Sequence, residues 1–580
     1  MSDLGNVDAM PSFADLVIQP ARPQARALIR KGLLPETLPP VFNSASLADV
    51  LDPDETSRYQ VTQKRTGKLA SFNASKRGQQ RRLFSVPHPL FHHDASLFFE
   101  KNWDSVAMIY AQSEGSASKP LFPPSGIRAV EITPQAELPT RRLQTLARKR
   151  YCLITDVSRC FPSVYTHAIP WALDGRDRAK LDRRESSTDV KGNRLDFIIR
   201  QSQDGQTAGI PVGPDTSRLI SELILSRIDA DHLQKDRKKV HFVRHVDDYW
   251  IGGDSIDDCE NHLRRLRIGL GEYQLDINEA KTRIVPLSHA IGETWPTELK
   301  RDIGDAFPRH QWRNRARAQD VTALFAKVVD RAVSSHDDGI IKYALRQVDR
   351  SRSWNARWDV LEPFLAHCAI QFPHSFDYVA RVIAWRARRD EDYDHRLWKE
   401  VALTVAASAA SVGHESELLW ALWLLKELGN KVSARQIDQF TKIAGPLVFA
   451  FLAHMTVNGQ AGRADLLDKL EAMAVGSEQF TGTLWPVTLE LYHLGNSAHL
   501  EAYRAAGTAV SAAYHAAGAS IIDWQAMPRV FDREEGEAQG EDWEPDYAIE
   551  DYASAYDDDE DDAGPAAPGW GTLGLDNDAF

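Results

Sequence analysis

His245-Val246-Asp247-Asp248 stands between two apolar runs, Val240-His-Phe-Val-Arg244 and Tyr249-Trp-Ile-Gly-Gly253, so the chain carries two adjacent carboxylates on the turn of a β-hairpin. No other segment restricts the fold as much. Taken alone, an Asp-Asp turn is most often a water-facing tip. It gains chemical meaning only from groups that other segments bring to it. Upstream, Tyr151-Cys-Leu-Ile-Thr155 reads as a buried strand that delivers Asp156 at its end, with Phe161 five residues further on. Between the two carboxylate sites lies Thr207-Ala-Gly209-Ile-Pro211-Val-Gly213-Pro214, a Gly/Pro loop. Leu219, Ile220, Leu223, Ile224 and Ile228 follow it at helical spacing. Downstream, Leu275-Asp-Ile-Asn-Glu-Ala-Lys281-Thr282 is a short segment ending in a cation.

Strand-Asp, Gly-Pro loop with helix, Asp-Asp hairpin and Asn-x-x-Lys-Thr, in that order, resemble motifs A, B, C and D of the reverse transcriptase palm. The flanks Asp156-Val-Ser-Arg-Cys-Phe-Pro-Ser-Val-Tyr-Thr-His-Ala-Ile-Pro-Trp171 and Pro87-His-Pro89 are similar to bacterial abortive-infection and defence-associated reverse transcriptases. The motif resemblance spans roughly residues 85–285. It implies an α/β right-hand polymerase, with fingers and palm of reverse transcriptase type, followed by an all-α, HEAT-like helical-repeat domain. The implied activity is DNA synthesis from dNTPs in antiphage defence, with untemplated, protein-primed synthesis among the modes this lineage uses. A retron- or intron-type templated enzyme of a mobile element is one alternative, although the chain shows no Cys/His zinc module and no His-Asn-His endonuclease signature. A non-catalytic nucleic-acid-binding scaffold is the other, and the intact carboxylates speak against it. The sequence departs from the family pattern at His245, where many relatives carry Tyr or Phe, and at Ala208, where many carry Gln.

Joining a 3′-hydroxyl to an α-phosphate accumulates negative charge, which carboxylate-held Mg²⁺ neutralises. The resemblance makes Asp156, Asp247 and Asp248 the ligands of two such ions, with the carbonyl of Val157 contributing and Mn²⁺ as the expected substitute. It makes Phe161 the ring that excludes a 2′-hydroxyl, and Lys281 the cation that meets the leaving pyrophosphate. Gly209, Pro211 and Gly213 would let backbone approach the incoming base pair, and Arg128 is a candidate triphosphate ligand. Tyr59 is the favoured priming hydroxyl, with Tyr165, Tyr249, Tyr547, Tyr552 and Tyr556 as other candidates.

The net charge of −13 is misleading until it is localised. Residues 532–562 hold 16 acidic residues and one Arg, and Asp576 and Asp578 bring the tail to −17, so residues 1–531 carry +4. Residues 58–93 contain eight cations and no acid, interleaved with Tyr59, Phe72 and Phe84. Of these cations, Lys64, Arg65, Lys76, Arg77, Arg81 and Arg82 are the expected contacts to DNA or RNA. A second basic group, Arg141, Arg142, Arg148, Lys149 and Arg150, leads into the motif-A strand. The four cysteines are scattered, which indicates neither zinc nor disulfides. The sequence shows no signal pattern and no bilayer-length apolar run, so a cytoplasmic protein without membrane contact is expected.

The expected organisation is an irregular N-terminal extension with a basic arm over residues 1–84, fingers over 85–150 and a palm over 151–287. A helical domain over 288–530 replaces the thumb, and an acidic disordered tail covers 531–580. Gly126-Ile-Arg-Ala-Val-Glu-Ile132 alternates like a strand. Glu417-Leu-Leu-Trp-Ala-Leu-Trp-Leu-Leu-Lys-Glu-Leu428 is apolar on every side, as a helix packed between others must be. Solenoid faces commonly bind partners, and self-association is expected of this one.

Overall fold

The computed structural model describes residues 22–50, 61, 66–124, 126, 128–235, 239–308, 316–463, 465–476, 482–495, 513–514, 517–528 and 530. Its centre is a four-stranded antiparallel sheet. In chain order the strands are β3 (Tyr151–Asp156), β4 (Phe242–His245), β5 (Asp248–Gly253) and β6 (Arg283–Pro286), and across the sheet they run β4-β5-β3-β6. A separate hairpin precedes it, formed by β1 (Ala70–Ser75) and β2 (Arg81–Val86).

Strand alternation decides which residues face the core. Leu153 opposes Ile251, which opposes Phe242, and these three, with Tyr249, belong to the main hydrophobic core. Each such side chain contributes about 1.5–3 kcal/mol when fully buried. The opposite face carries Cys152, Ile154, Trp250 and Val285 under Leu146 and Ala290. By the same parity it also carries Asp156 and Asp248, which pair directly across β3 and β5. Helix Asp215–Ile228 starts behind Pro214 as the loop pattern predicts, and runs on into a π turn, Asp229–Gln234.

The N-terminal region differs from the expectation of an irregular extension. Helices Ala25–Gly32 and Ala45–Asp49 and strand β1 all precede residue 84, and their Leu28, Ile29, Leu47 and Phe72 are buried. The 84/85 boundary falls inside β2. Gly126–Ile132 forms no strand among its described residues; Glu131 alone makes a bridge, to Leu121. Its backbone is tied instead by Lys31 Nζ at the Gly126 carbonyl and by the Val130 amide donating to Asp215 Oδ2 (3.2 Å). The fingers helix runs from Pro89 to Gln112, its first turn capped by His88 Nδ1, which accepts from the Leu90 amide.

From Trp295 to His493 the named elements are helices. Helix Glu415–Glu427 buries every residue from Ser416 to Lys426, because helices His395–Val412, Phe376–Arg388 and Pro446–Val457 and strand β1 surround it. Trp398, Trp420, Trp423 and Trp485 are fully buried packing residues. The helical half is clamped to the N-terminal region. Trp420 Nε1 donates to the Thr37 carbonyl (2.8 Å), Asn43 N to Ile521 O (3.0 Å) and Asp523 N to Val41 O (2.7 Å). All four cysteines are free and buried. Among the described residues no helix is long and apolar enough to cross a membrane.

Candidate active site

Asp247 sits on the two-residue turn between β4 and β5, Asp248 opens β5, and Asp156 closes β3 opposite it. Backbone bonds lock the segments together: the Val157 amide donates to Asp247 O (3.2 Å) and the Asn278 amide to Asp156 O (2.9 Å). Thr282 Oγ1 bonds Asn278 O (2.7 Å) and meets Thr155 Oγ1 (2.7 Å). Lys281 is thereby carried to 3.5 Å from Asp156 Oδ2. Asp156, Asp247, Asp248 and Lys281, far apart in sequence, thus share one end of the sheet.

The like charges are felt. Burial, then the neighbouring Asp247 and Asp156, push the Asp248 carboxyl well above the ordinary carboxylate range, while Lys281 and Arg142 pull it back. Arg142 stacks over the Trp250 ring at 4.2 Å. A set of oxygen-only donors crowded by mutual repulsion fits hard divalent cations. Among the described residues no three His, Cys, Asp or Glu side chains are gathered closely enough to hold a metal ion by themselves, so waters and phosphate oxygens would have to complete the shell of a Mg²⁺ ion here.

A buried network beneath the hairpin aims it, and nothing local in the sequence announced it. Arg244, wholly buried, donates to Glu222 Oε2 (2.7 Å), Asp229 Oδ2 (2.8 Å) and the Val246 carbonyl (3.0 Å). Tyr249 Oη donates to Asp229 Oδ1 (2.9 Å), and Ser113 and Ser116 donate to Asp229 and Glu222. The Val246 amide donates to Ser118 Oγ (2.5 Å). Val246 has φ 56, a conformation costly for a β-branched residue, and these bonds hold the turn in it. His245 donates from Nε2 to Thr133 O (3.1 Å), and burial pushes its imidazole down to about 4. The ring is therefore neutral at pH 7.

Phe161 is buried. With Val246, Ile132, Arg218 and Glu222 it lines a cavity beside the Asp-Asp turn. The Gly/Pro loop hooks onto it: Ile210 N donates to Phe161 O (2.9 Å) and Gly209 N to Val164 O (2.8 Å). Gly209 has φ +83, and a Cβ there would meet the Pro162 carbonyl oxygen at 3.1 Å. Pro211 follows in the same loop. Gly213 packs against Pro35 and Phe84, and its carbonyl accepts from Arg128 Nη2 (3.0 Å).

Arg128 departs from its expected role as a triphosphate ligand. It is 4% exposed, and its guanidinium meets Asp215, Glu36 and the Leu34 and Gly213 carbonyls, so it braces the loop from behind. The cation that reaches the Phe161 cavity is Arg218, three residues after Asp215 on the motif-B helix. The basic arm departs as well. Arg77 pairs with Asp337, its side chain still 40% exposed, and Arg81 donates to Glu417 Oε2 (2.9 Å), so both tie the hairpin to the helical half. Lys76 is buried, and Arg82 lines a cleft beside it. Tyr59, Lys64, Arg65 and the tail tyrosines lie outside the described residues.

Residues 116–300 match the family model "Reverse transcriptase (RNA-dependent DNA polymerase)". The matched segment contains all three carboxylates, Lys281 and the Gly/Pro loop. The chain therefore carries a reverse transcriptase domain and is an enzyme of the RNA-directed DNA polymerase, or nucleotidyltransferase, class. That family uses divalent metals. Among solved structures, apo telomerase from Candida tropicalis is 13% identical, with 66% of this chain and 74% of that chain covered and a TM-score of 0.28. Telomerase from Candida albicans, in complex with a TWJ fragment of telomeric RNA, is 13% identical, covering 63% and 69%, with a TM-score of 0.27. No curated protein sequence matches.

Proposed function

We propose that this palm extends DNA from dNTPs with two Mg²⁺ ions held by Asp156, Asp247 and Asp248, and that its synthesis serves antiphage defence without obligatory use of a template. The observation that carries the reading is the meeting of Asp156 with Asp248 across the sheet, with Asp247 on the turn and Lys281 3.5 Å from Asp156. Bound there, divalent ions supply neutralisation of the charge that builds on the α-phosphate and the leaving pyrophosphate. Mn²⁺ would serve the same donors, and the Val157 carbonyl would add to them.

The protein's own groups do the positioning. Lys281 supplies a cation, or a proton, toward pyrophosphate. Phe161 presents its ring to the 2′ carbon of the sugar. Gly209 and Pro211 keep the approach to the base pair clear. The seam of fingers and helical half, where HEAT-like pairing of helices is our reading of Trp295–His493, favours short products over a long duplex. Priming from a tyrosine hydroxyl such as Tyr59, DNA or RNA as partner, and self-association through the helical half complete the proposal.

The test is incorporation of labelled dNTPs by the full chain with Mg²⁺, with and without template, followed by nuclease treatment and mass spectrometry. A nucleotide attached to a tyrosine supports protein priming. Incorporation strictly dependent on an added primer and template would replace this reading with a templated enzyme. Expression in a phage-sensitive host, with Asp247→Asn as control, tests the defence role; equal plaque formation on both strains would refute it.

A further inference from the structure

The basic group that leads into the motif-A strand is distributed unevenly in the structure. Arg141 donates to the Ser116 carbonyl (2.9 Å), and Lys149 pairs with Asp254 (3.1 Å). Arg142, on helix Leu138–Leu146, is different. Its guanidinium lies over the Trp250 ring, and its only hydrogen bond among the described residues runs from Nη1 to the Ala290 carbonyl (3.3 Å). Nε is buried and has no partner, and among the described residues no carboxylate pairs with the group. Burial pushes its pKa below the ordinary guanidinium range, against the through-space pull of Cys152, Asp248 and Glu293. A partly buried cation without an ion-pair partner is costly, and stacking on an indole face offsets only part of that. Such a group is poised to receive an anion.

Strand register indicates which anion. Trp250 pairs with Ile154 across β5 and β3, as Asp248 pairs with Asp156, so these four side chains stand on one face of the sheet. Trp250 lies roughly 7 Å back along β5 from Asp248, two residues of extended chain. That is within reach of a nucleotide whose 3′ end lies at the carboxylates. Phe161 and Val246 lie in the other direction, past the ends of β3 and β4. In phosphoryl transfer the attacking and leaving oxygens stand on opposite sides of phosphorus. With the incoming nucleotide at Phe161, the attacking 3′ end comes in over Ile154 and Trp250, and the phosphate linking it to the preceding nucleotide falls at Arg142. A guanidinium fixed on a ring presents a planar fork, which the two free oxygens of a phosphodiester fit.

We propose, resting on the palm chemistry already inferred, that Arg142 binds the last internucleotide phosphate of the strand being extended and so seats its 3′ end over the carboxylates. Trp250 is a positioning residue that acts through Arg142, by holding the guanidinium in place.

The test removes the charge from each side of the contact in turn. The probes are a labelled oligothymidylate and the same oligomer with a neutral methylphosphonate as its last linkage. Both are offered to the full wild-type chain and to Arg142→Gln and Arg142→Lys, whose melting temperatures show them folded. With wild type, the neutral linkage should raise the KM for the oligomer about tenfold, the loss of one charged hydrogen bond. Arg142→Gln should raise the KM for the ordinary oligomer by a similar factor and no longer distinguish the two oligomers, because both changes remove one contact. Arg142→Lys, which keeps the charge without the fork, should fall between, and the KM for dTTP should hold throughout. If Arg142 served only to balance the charge of Asp248, Arg142→Gln would lower kcat and leave the penalty for the neutral linkage in full, which would overturn the proposal. A raised KM for dTTP with that penalty intact would overturn it too, and would give Arg142 to the triphosphate. If wild type extends neither oligomer, fluorescence anisotropy of both in EDTA decides without chemistry: a preference for the charged linkage that vanishes in Arg142→Gln upholds the phosphate site, and no preference, or an equal one in both proteins, refutes it. The palm chemistry itself stands or falls separately, on dNTP incorporation by wild type against Asp247→Asn.

Discussion

The end of the palm sheet and the β1–β2 hairpin are both dense in charge, and the structure treats them in opposite ways. At the palm, Asp156, Asp247 and Asp248 are pressed together until Asp248 is driven toward its neutral form. On the hairpin, Arg77 and Arg81 meet Asp337 and Glu417, acids 260 and 336 residues further along the chain. Crowded like charges mark a place built to receive something. Charges answered by distant partners mark a joint. A cluster of one sign in the sequence looks the same in either case, because the answering charge lies outside any local window.

The palm half of this comparison is the easier to break. Asp247→Asn and Asp156→Asn should each lower dNTP incorporation by on the order of 10³-fold or more, as expected when several kcal/mol of transition-state charge stabilisation is lost. Their melting temperature should hold or rise, since each removes a repelling charge. A variant that kept a tenth of wild-type incorporation would show that the crowded carboxylates are not the centre of the chemistry.

The joint should respond in the opposite sense. Glu417 is buried and Arg81 is about one-fifth exposed on its side chain, so Arg81→Gln leaves a buried acid poorly answered and should cost about 2–3 kcal/mol, somewhat below a fully buried pair. Incorporation per folded molecule should be unchanged. Denaturant unfolding and specific activity of the same preparation check both halves. Lost activity with unchanged stability would return Arg81 to the nucleic-acid contacts expected from the sequence.

How much was legible follows the same division. The carboxylate-bearing strands, the Asp-Asp turn, the motif-B helix and the apolar Glu415–Glu427 helix could be read because period, turn chemistry and order along the chain are local properties. The Arg244–Glu222–Asp229–Tyr249 network could not. Its four members lie on four elements, the motif-B helix, the π turn that continues it, β4 and β5, and a lone Arg in an apolar strand gives no sign of its partners. Arg128 misled for the same reason: Asp215 and Glu36, which hold it, are 87 and 92 residues away.

Within the palm, Phe161 tests how closely the cavity beside the turn fits its sugar. Phe161→Ala should raise the ratio of ribonucleotide to deoxyribonucleotide use by about tenfold or somewhat more, the scale on which a pocket discriminates by one small group. Phe161→Tyr should change it little. An unchanged ratio in the Ala variant would make the ring a packing element against Val246.

The smallest expected effect concerns His245, the residue at which the hairpin departs from the resemblance read in the sequence. Its imidazole is held near 4 in the folded chain by burial, against an ordinary value of about 6.5 when unfolded. Between those values the unfolded chain binds a proton that the folded chain refuses. Stability linked to this residue is therefore complete above about pH 6.5 and is lost as the pH falls toward 4, by up to about 1.4 kcal/mol per pH unit. Absolute stability mixes this with His88 and His93, each near 3, and with Glu415, which burial raises to about 7 and which works in the opposite direction. The difference between wild type and His245→Phe isolates the one group. At pH 7.5 the variant should be level with wild type or about 1 kcal/mol weaker, having given up the bond to Thr133. As the pH is lowered to 5 the gap should close or reverse. Parallel melting curves from pH 7.5 to 5 would mean that this imidazole does not stay neutral in the folded hairpin, and would leave Arg244, Ser118 and the Val157 amide to explain how the turn is held.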